Sequence, residues 1–97
     1  MRLQLTPLAE RDLDKIAAFI AADNPRRAAS FVRELRQKCR EVARNPRGYQ
    51  VRPELGEGMR LCAYGSYLIV FKALEDVTLV VRVLHGARDV PSVLRSV

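Results

Sequence analysis

The most distinctive side chains for chemistry lie near the end of the chain, where polar residues interrupt and follow an apolar run. Arg82 interrupts the apolar residues between Leu79 and Leu84, and His85, the only histidine, follows them. An unpaired buried cation would cost on the order of several kcal/mol. Arg82 must therefore either pair with a carboxylate or face an open, polar side of a sheet. His85 can act as a general acid or base near neutral pH, or it can have a structural, hydrogen-bonding role.

Together with Arg60, which lies in another apolar segment, these residues could in principle cleave RNA. A base such as His85, a tyrosine or a glutamate (Glu54 or Glu57) would remove the proton of the 2′-hydroxyl, and an acid would protonate the leaving oxygen. Arginine can only stabilise the charged phosphorane, because it does not deprotonate in proteins. If the protein is a ribonuclease, we therefore expect Arg60, Arg82 and His85 to be catalytic.

Few other chemistries are compatible with the sequence. It has no phosphate-binding glycine loop, no Ser/His/Asp spacing and no Cys/His or carboxylate spacing that suits a metal. We therefore expect no metal and no cofactor, and we expect Cys39 and Cys62 to be buried, reduced thiols. After His85 come Arg88 and Asp89, and Asp89 can either cap the C-terminal segment or pair with an arginine of a strand.

The charge composition indicates an acidic partner. Seventeen Lys and Arg residues against eleven Asp and Glu give a net charge of +6, and fourteen of the seventeen cations are arginine. Arginine makes planar, bidentate contacts to carboxylates and phosphates. A basic stripe is predicted on the second helix, opposite its apolar side: Arg33, Arg36, Arg40, Arg44 and, if the helix extends that far, Arg47. This stripe is either an ordinary solvated face or a surface that binds an acidic protein or nucleic acid.

The first half of the chain must form helices. Polar and apolar side chains alternate over residues 2–5, which predicts a short strand. Thr6–Pro7 then predicts the start of a helix that continues to about Ala22. Asn24–Pro25 repeats this start signal, and Asn45–Gly48 ends the second helix. Because the connection between the helices is short, they should form an antiparallel hairpin.

The second half of the chain predicts strands joined by tight turns. Strands are expected at Met59–Tyr64, Tyr67–Leu74 and Val77–His85, with a short or edge strand around Val51 that Pro53 breaks. The sequence thus predicts a single α+β domain over residues 1–97, with an N-terminal strand and a helical hairpin packed on a small, twisted antiparallel sheet. No apolar run of about 18 residues or signal peptide is present, so we expect a cytoplasmic protein without membrane contact.

Four segments carry a resemblance to a known family: Leu8–Ile16, Asn24–Ala28, Gly65–Phe71 and, most specifically, Arg82–Asp89. With the order of strand, helical hairpin and sheet, they make nearly the whole chain resemble the ParE branch of the RelE/ParE toxin superfamily. These toxins belong to bacterial type II toxin–antitoxin modules.

The resemblance implies a stable toxin that poisons DNA gyrase, blocks replication and arrests growth without any bond chemistry of its own, as in plasmid stabilisation. It also implies a ParD-like antitoxin, with a ribbon-helix-helix part that binds DNA and an acidic, flexible C-terminal segment that wraps the toxin. The toxin then contacts DNA only through this antitoxin. The candidate functional surface comprises Arg60, Arg82, His85, Arg88 and Asp89. The candidate surface for the antitoxin or another acidic partner comprises Arg33, Arg36, Arg40 and Arg44.

The alternative is the RelE-like branch of the superfamily, whose members cleave messenger RNA on the ribosome. Arg60, Arg82 and His85 match that branch in part. However, Gly86 stands where parts of that branch have a terminal tyrosine, and the tail from Val90 to Val97 has no Tyr, Lys or Glu. These departures favour gyrase poisoning over RNA cleavage.

Overall fold

The structure is a computed structural model that describes residues 1–95, so Ser96 and Val97 of the predicted tail lie outside the described residues. Its helices and strands, in chain order, are β1 (Arg2–Leu5), α1 (Pro7–Ala21), α2 (Pro25–Arg44), β2 (Met59–Tyr64), β3 (Tyr67–Ala73), β4 (Val77–His85) and α3 (Val90–Arg95). Two 3₁₀ turns, Pro46–Gly48 and Pro53–Leu55, separate α2 from β2. No helix within residues 1–95 is long and apolar enough to span a bilayer.

Both long helices begin at the predicted signals. The Thr6 hydroxyl accepts a hydrogen bond from the Ala9 N–H at 3.0 Å, and the Asn24 side chain accepts one from the Arg27 N–H at 3.0 Å. A proline follows each cap, where its missing N–H costs nothing. Since α2 ends at Arg44, Arg47 lies in the following 3₁₀ turn and does not extend the basic stripe along the helix.

The four strands form one sheet in the order β1-β4-β3-β2. β2, β3 and β4 make the predicted antiparallel meander, but β1 pairs with β4 in parallel, so the sheet is mixed and not wholly antiparallel. A parallel pair needs a long crossover connection, and the helical hairpin together with the first two strands of the meander supplies it. The predicted strand at Val51 is reduced to a single bridge to Arg60, because the chain turns into a 3₁₀ helix at Pro53.

Two apolar layers cover the two faces of the sheet. The helical hairpin packs on one face, where Leu13, Leu35, Ile69 and Phe71 are almost fully buried. Cys39 and Cys62 lie in this layer as buried thiols, and burial raises the pKa of Cys39 to about 11. The second layer joins the other face of the sheet to α3 and the turn at Pro53–Leu55. It comprises Leu55, Met59, Val70, Val81, Leu84, Val90 and Leu94.

Candidate functional site

The C-terminal half of β4 forms an edge of the sheet, and the start of α1 lies along this edge. The parallel ladder ends where Leu5 pairs with Val80, while β4 continues to His85. Side chains replace the missing strand at the next positions along this edge. The Thr6 hydroxyl donates to the Val81 carbonyl at 2.7 Å, and the Asp12 carboxylate accepts from the Val83 N–H at 3.0 Å. The start of α1 therefore satisfies the backbone of β4 just beyond β1.

Asp12 is also the carboxylate that Arg82 requires. The Arg82 Nε donates to Asp12 Oδ2 at 2.7 Å and its Nη2 donates to Oδ1 at 2.9 Å. The two side chains are 12% and 6% exposed, and this hydrogen bonding raises the pKa of Arg82 further above its usual value. Of the two alternatives for Arg82, the structure therefore has the paired one. Its guanidinium is held by the fold and does not face an open polar surface.

Sequence reasoning missed Asp12, although a signal for it exists. Asp12 stands beside Leu13 and three residues after Ala9, on the buried side of α1. A carboxylate at such a position requires a buried donor, and Arg82 is the only arginine within the apolar residues of β4. The two residues are 70 positions apart, so only the folded chain brings them together.

Arg60 lies on β2, away from the end of β4. One of its Nη atoms donates to the Tyr49 carbonyl, and its Nε is buried without a hydrogen-bond partner among the described residues. Arg60 is opposite Phe71 of β3, whereas His85 is opposite Tyr67 on the other side of the same strand. Four residues along a strand separate these positions by about 13 Å. The structure therefore does not bring Arg60 and His85 together around a single phosphate.

His85, Arg88 and Asp89 form an exposed turn at the end of β4. The His85 ring packs edge-on against Tyr67, with the ring centres 5.2 Å apart, and its Nδ1 accepts the Ala87 N–H at 3.0 Å. The Asp89 side chain accepts the Ser92 N–H at 3.4 Å at the start of α3. Of its two predicted roles, Asp89 therefore has the capping one. The His85 Nδ1 has a structural hydrogen bond, which leaves Nε2 as its second nitrogen.

The basic stripe of α2 is less uniform than the helical wheel predicts. Arg36 makes a bidentate pair with Glu10 of α1, at 3.2 and 2.9 Å, and this pair lowers the pKa of Glu10. Arg36 therefore links α2 to α1, a contact that a helical wheel of α2 alone cannot predict. Arg33, Arg40 and Arg44 are exposed and have no ion pair within the part of the chain that the structure describes.

A polar network that sequence reasoning missed lies next to this stripe. Arg27 pairs with Glu34 at 2.6 Å, and the Tyr64 hydroxyl donates to the same carboxylate at 2.7 Å. The hydrogen bond from Arg27, followed by the one from Tyr64, lowers the pKa of Glu34. The Arg27 guanidinium also lies 5.0 Å above the Phe31 ring. The network borders a groove of about 440 Å³ that includes the exposed cations Arg33 and Arg40.

Comparison with known proteins agrees with this architecture. A solved structure described as the chromosomal ParDE toxin–antitoxin system from P. aeruginosa superposes with a TM-score of 0.75. The match has 19% sequence identity and covers 88% of this chain and 95% of that one. Comparison with curated proteins gives no match.

The chain thus shares the small α+β fold of that structure. The family model described as "ParE toxin of type II toxin-antitoxin system, parDE" matches residues 3–90. The chain belongs to the ParE toxin family, and the resemblance carried by its sequence segments is confirmed. It is a ParE-type toxin, and its module includes an antitoxin partner.

Proposed function

We propose that this toxin acts by contact with its target protein, that the target is DNA gyrase, and that the toxin carries out no bond chemistry. The observation that carries the proposal is the engagement of Arg82. Two nitrogens of its guanidinium, Nε and Nη2, donate hydrogen bonds to the buried Asp12 carboxylate. An arginine that stabilises a phosphorane must instead present its donors to the phosphate. The two donors of Arg82 that face Asp12 can turn to a phosphate only if this buried ion pair breaks.

The remaining candidate groups support the same conclusion. Arg60 and His85 are on opposite sides of β3 and offset along it, so no single phosphate reaches both of them. The Nδ1 of His85 accepts a hydrogen bond from a backbone N–H, so only one ring nitrogen is left for proton transfer. RNA cleavage needs both a base and an acid. A surface that binds a protein target has no such geometric requirement.

The proposed partner that neutralises the toxin is a ParD-like antitoxin with an acidic segment, in the cytoplasm. Charge complementarity supports this partner. The net charge is +6, and the exposed arginines Arg33, Arg40 and Arg44 have no carboxylate partner within residues 1–95. Bidentate contacts from these residues to carboxylates would give the complex orientation as well as affinity.

Controlled expression in bacteria tests the proposal. Induction of the chain should arrest growth and cause cleaved chromosomal DNA to accumulate, and co-expression of the antitoxin from the same module should prevent both. His85→Gln should arrest growth as the natural chain does, because glutamine keeps the size and hydrogen bonding of the residue and no acid–base step is lost. Growth arrest with intact DNA, abolished by His85→Gln, would refute contact poisoning in favour of catalysis.

A further inference from the structure

We propose that the exposed side of α2 binds the phosphate backbone of duplex DNA directly and without sequence preference. We call this surface the α2 ridge, and define it as Arg26, Arg33, Gln37, Arg40 and Arg44. The proposal goes beyond the proposed function, because the contact depends neither on gyrase nor on the antitoxin. It also departs from the expectation that the toxin contacts DNA only through its antitoxin. DNA and an acidic antitoxin segment would exclude one another on these arginines, because both are anionic.

The four arginines of the ridge form a straight row along α2. Arg33 and Arg40 follow Arg26 at intervals of seven residues, and Arg44 follows about one turn later. At about 100° per residue, all four lie within about 40° of one another around the helix axis. The row is about 27 Å long at 1.5 Å per residue. Duplex DNA carries one negative charge per about 1.7 Å of its axis, so a row of this length passes several phosphates.

The carboxylates beside this row are bound to other groups. α2 contains two of them, Glu34 and Glu41. Glu34 accepts hydrogen bonds from Arg27 and Tyr64, and neither donor belongs to the ridge. Glu41 pairs with Lys38 at 3.4 Å. The four ridge arginines have no ion pair within residues 1–95, so the row keeps its full positive charge.

The ridge also presents hydrogen-bond donors to solvent. All four arginines and Gln37 are exposed. The Arg40 Nε donates to Gln37 Oε1 at 3.0 Å, which orients this guanidinium and leaves its two Nη groups for a ligand. Guanidinium groups bind phosphate oxygens in a bidentate way, with charge-assisted hydrogen bonds.

Duplex DNA suits this surface better than a protein or a single strand does. The buried core of a protein interface is apolar and rich in aromatic residues, and no large apolar side chain of α2 is exposed. Phosphate contacts need only cations and hydrogen-bond donors, and they carry no sequence information. Single-stranded nucleic acids bind by stacking their bases on aromatic side chains, and the only aromatic residue of α2, Phe31, is buried.

Fluorescence anisotropy of a labelled duplex of about 20 base pairs tests the ridge with the purified full-length chain. Four phosphate contacts predict a slope of about −3.6 for the logarithm of affinity against that of salt. Affinity should therefore fall about 150-fold between about 50 and 200 mM salt. A second duplex of unrelated sequence should bind equally well within about twofold. Absence of binding to both duplexes at low salt would overturn the proposal.

Single variants locate the contact on the chain. Arg33→Gln and Arg40→Gln should each weaken binding about tenfold at low salt and reduce the slope by about 0.9. Gln37→Glu should weaken it at least as much, because it places a carboxylate in the middle of the row. The matched controls Arg11→Gln on α1 and Arg95→Gln on α3 each remove an exposed cation elsewhere and should keep the slope. Equal losses in ridge and control variants would show attraction by net charge alone and overturn the proposal.

A polyglutamate peptide distinguishes an acidic protein from DNA as the ligand. If the chain binds this peptide through the ridge and the duplex does not displace it, the ridge is a surface for acidic proteins and the proposal is wrong. Displacement of the peptide by the duplex would support the proposal. All five substituted side chains are exposed, so a thermal unfolding scan should show a folded protein in every case.

The ridge and the proposed function fail in different ways. A chain that arrests growth and breaks chromosomal DNA, yet binds no duplex, would overturn the ridge and leave the proposed function intact. A chain that binds the duplex through the ridge, yet arrests growth with chromosomal DNA intact, would support the ridge and count against gyrase poisoning.

Discussion

Asp12→Ala should cost more stability than any other single replacement of a charged residue in the described chain. The Asp12 carboxylate accepts three hydrogen bonds, two from the Arg82 guanidinium and one from the Val83 N–H, at 2.7 to 3.0 Å. Removing one partner of a buried ion pair costs about 3–5 kcal/mol. The lower end of this range applies here, because Arg82, the partner that is left behind, is 12% exposed. The unsatisfied Val83 N–H adds about 1 kcal/mol. We therefore expect a loss of about 4 kcal/mol.

A loss of this size is a large part of the total stability of a small domain, which is about 5–15 kcal/mol. Urea denaturation measures it directly. The midpoint should fall while the dependence of the unfolding free energy on urea stays constant. Because the pair is buried, 1 M NaCl should change the loss little.

A double-mutant cycle identifies the ion pair as the cause. Arg82→Met keeps the apolar stem and leaves the carboxylate its bond from Val83, so it should cost less than Asp12→Ala. Asp12→Ala combined with Arg82→Met should cost less than the sum of the two single changes, because neither charge is left unpaired. A loss below about 1 kcal/mol for Asp12→Ala, or strict additivity in the cycle, would refute the reasoning.

Three further results are expected. Thr78→Val should raise the free energy of unfolding by about 1 kcal/mol in urea denaturation, because the fully buried Thr78 hydroxyl has no hydrogen-bond partner among the described residues. A lower free energy of unfolding would show that this hydroxyl has a hydrogen-bond partner. Glu10→Gln should reduce stability by about 0.5 kcal/mol at pH 7. Since Arg36 lowers the pKa of Glu10, this contribution is present above the unfolded pKa and is lost as pH falls through the folded one. The natural chain and the variant should therefore converge once the pH lies below the folded pKa. Finally, Cys39, whose pKa burial raises to about 11, should react with a thiol reagent at pH 8 only after urea unfolds the chain; rapid labelling of the native protein would contradict its burial.

The sequence predicted the elements of the fold well because their signals are local. Thr6 and Asn24 cap the helices where expected, and a two-residue turn at Gly65–Ser66 joins β2 to β3. Gly65 has a φ of +57°, a conformation that glycine adopts without strain. The parallel pairing of β1 with β4 was not predicted, because alternation within a strand contains no information about its neighbour.

The candidate site was only partly predictable for a related reason. Arg82 was correctly identified as a cation that requires a partner or an open face, but its partner lies 70 positions away on a different element. The pair of Arg36 with Glu10 likewise joins two helices across 26 positions. The irregularity between Val70 and Phe71 shifts the register of β4, so the face on which Arg82 lies could not be counted from the turn.

The most direct test of the central claim is a pair of assays on one preparation of the purified chain, namely DNA supercoiling by gyrase and ribosome-dependent cleavage of messenger RNA. Contact poisoning predicts inhibited supercoiling or accumulated cleaved DNA, with the messenger RNA intact. Cut messenger RNA with normal gyrase activity would contradict it and would make Arg60, Arg82 and His85 the candidates for catalysis.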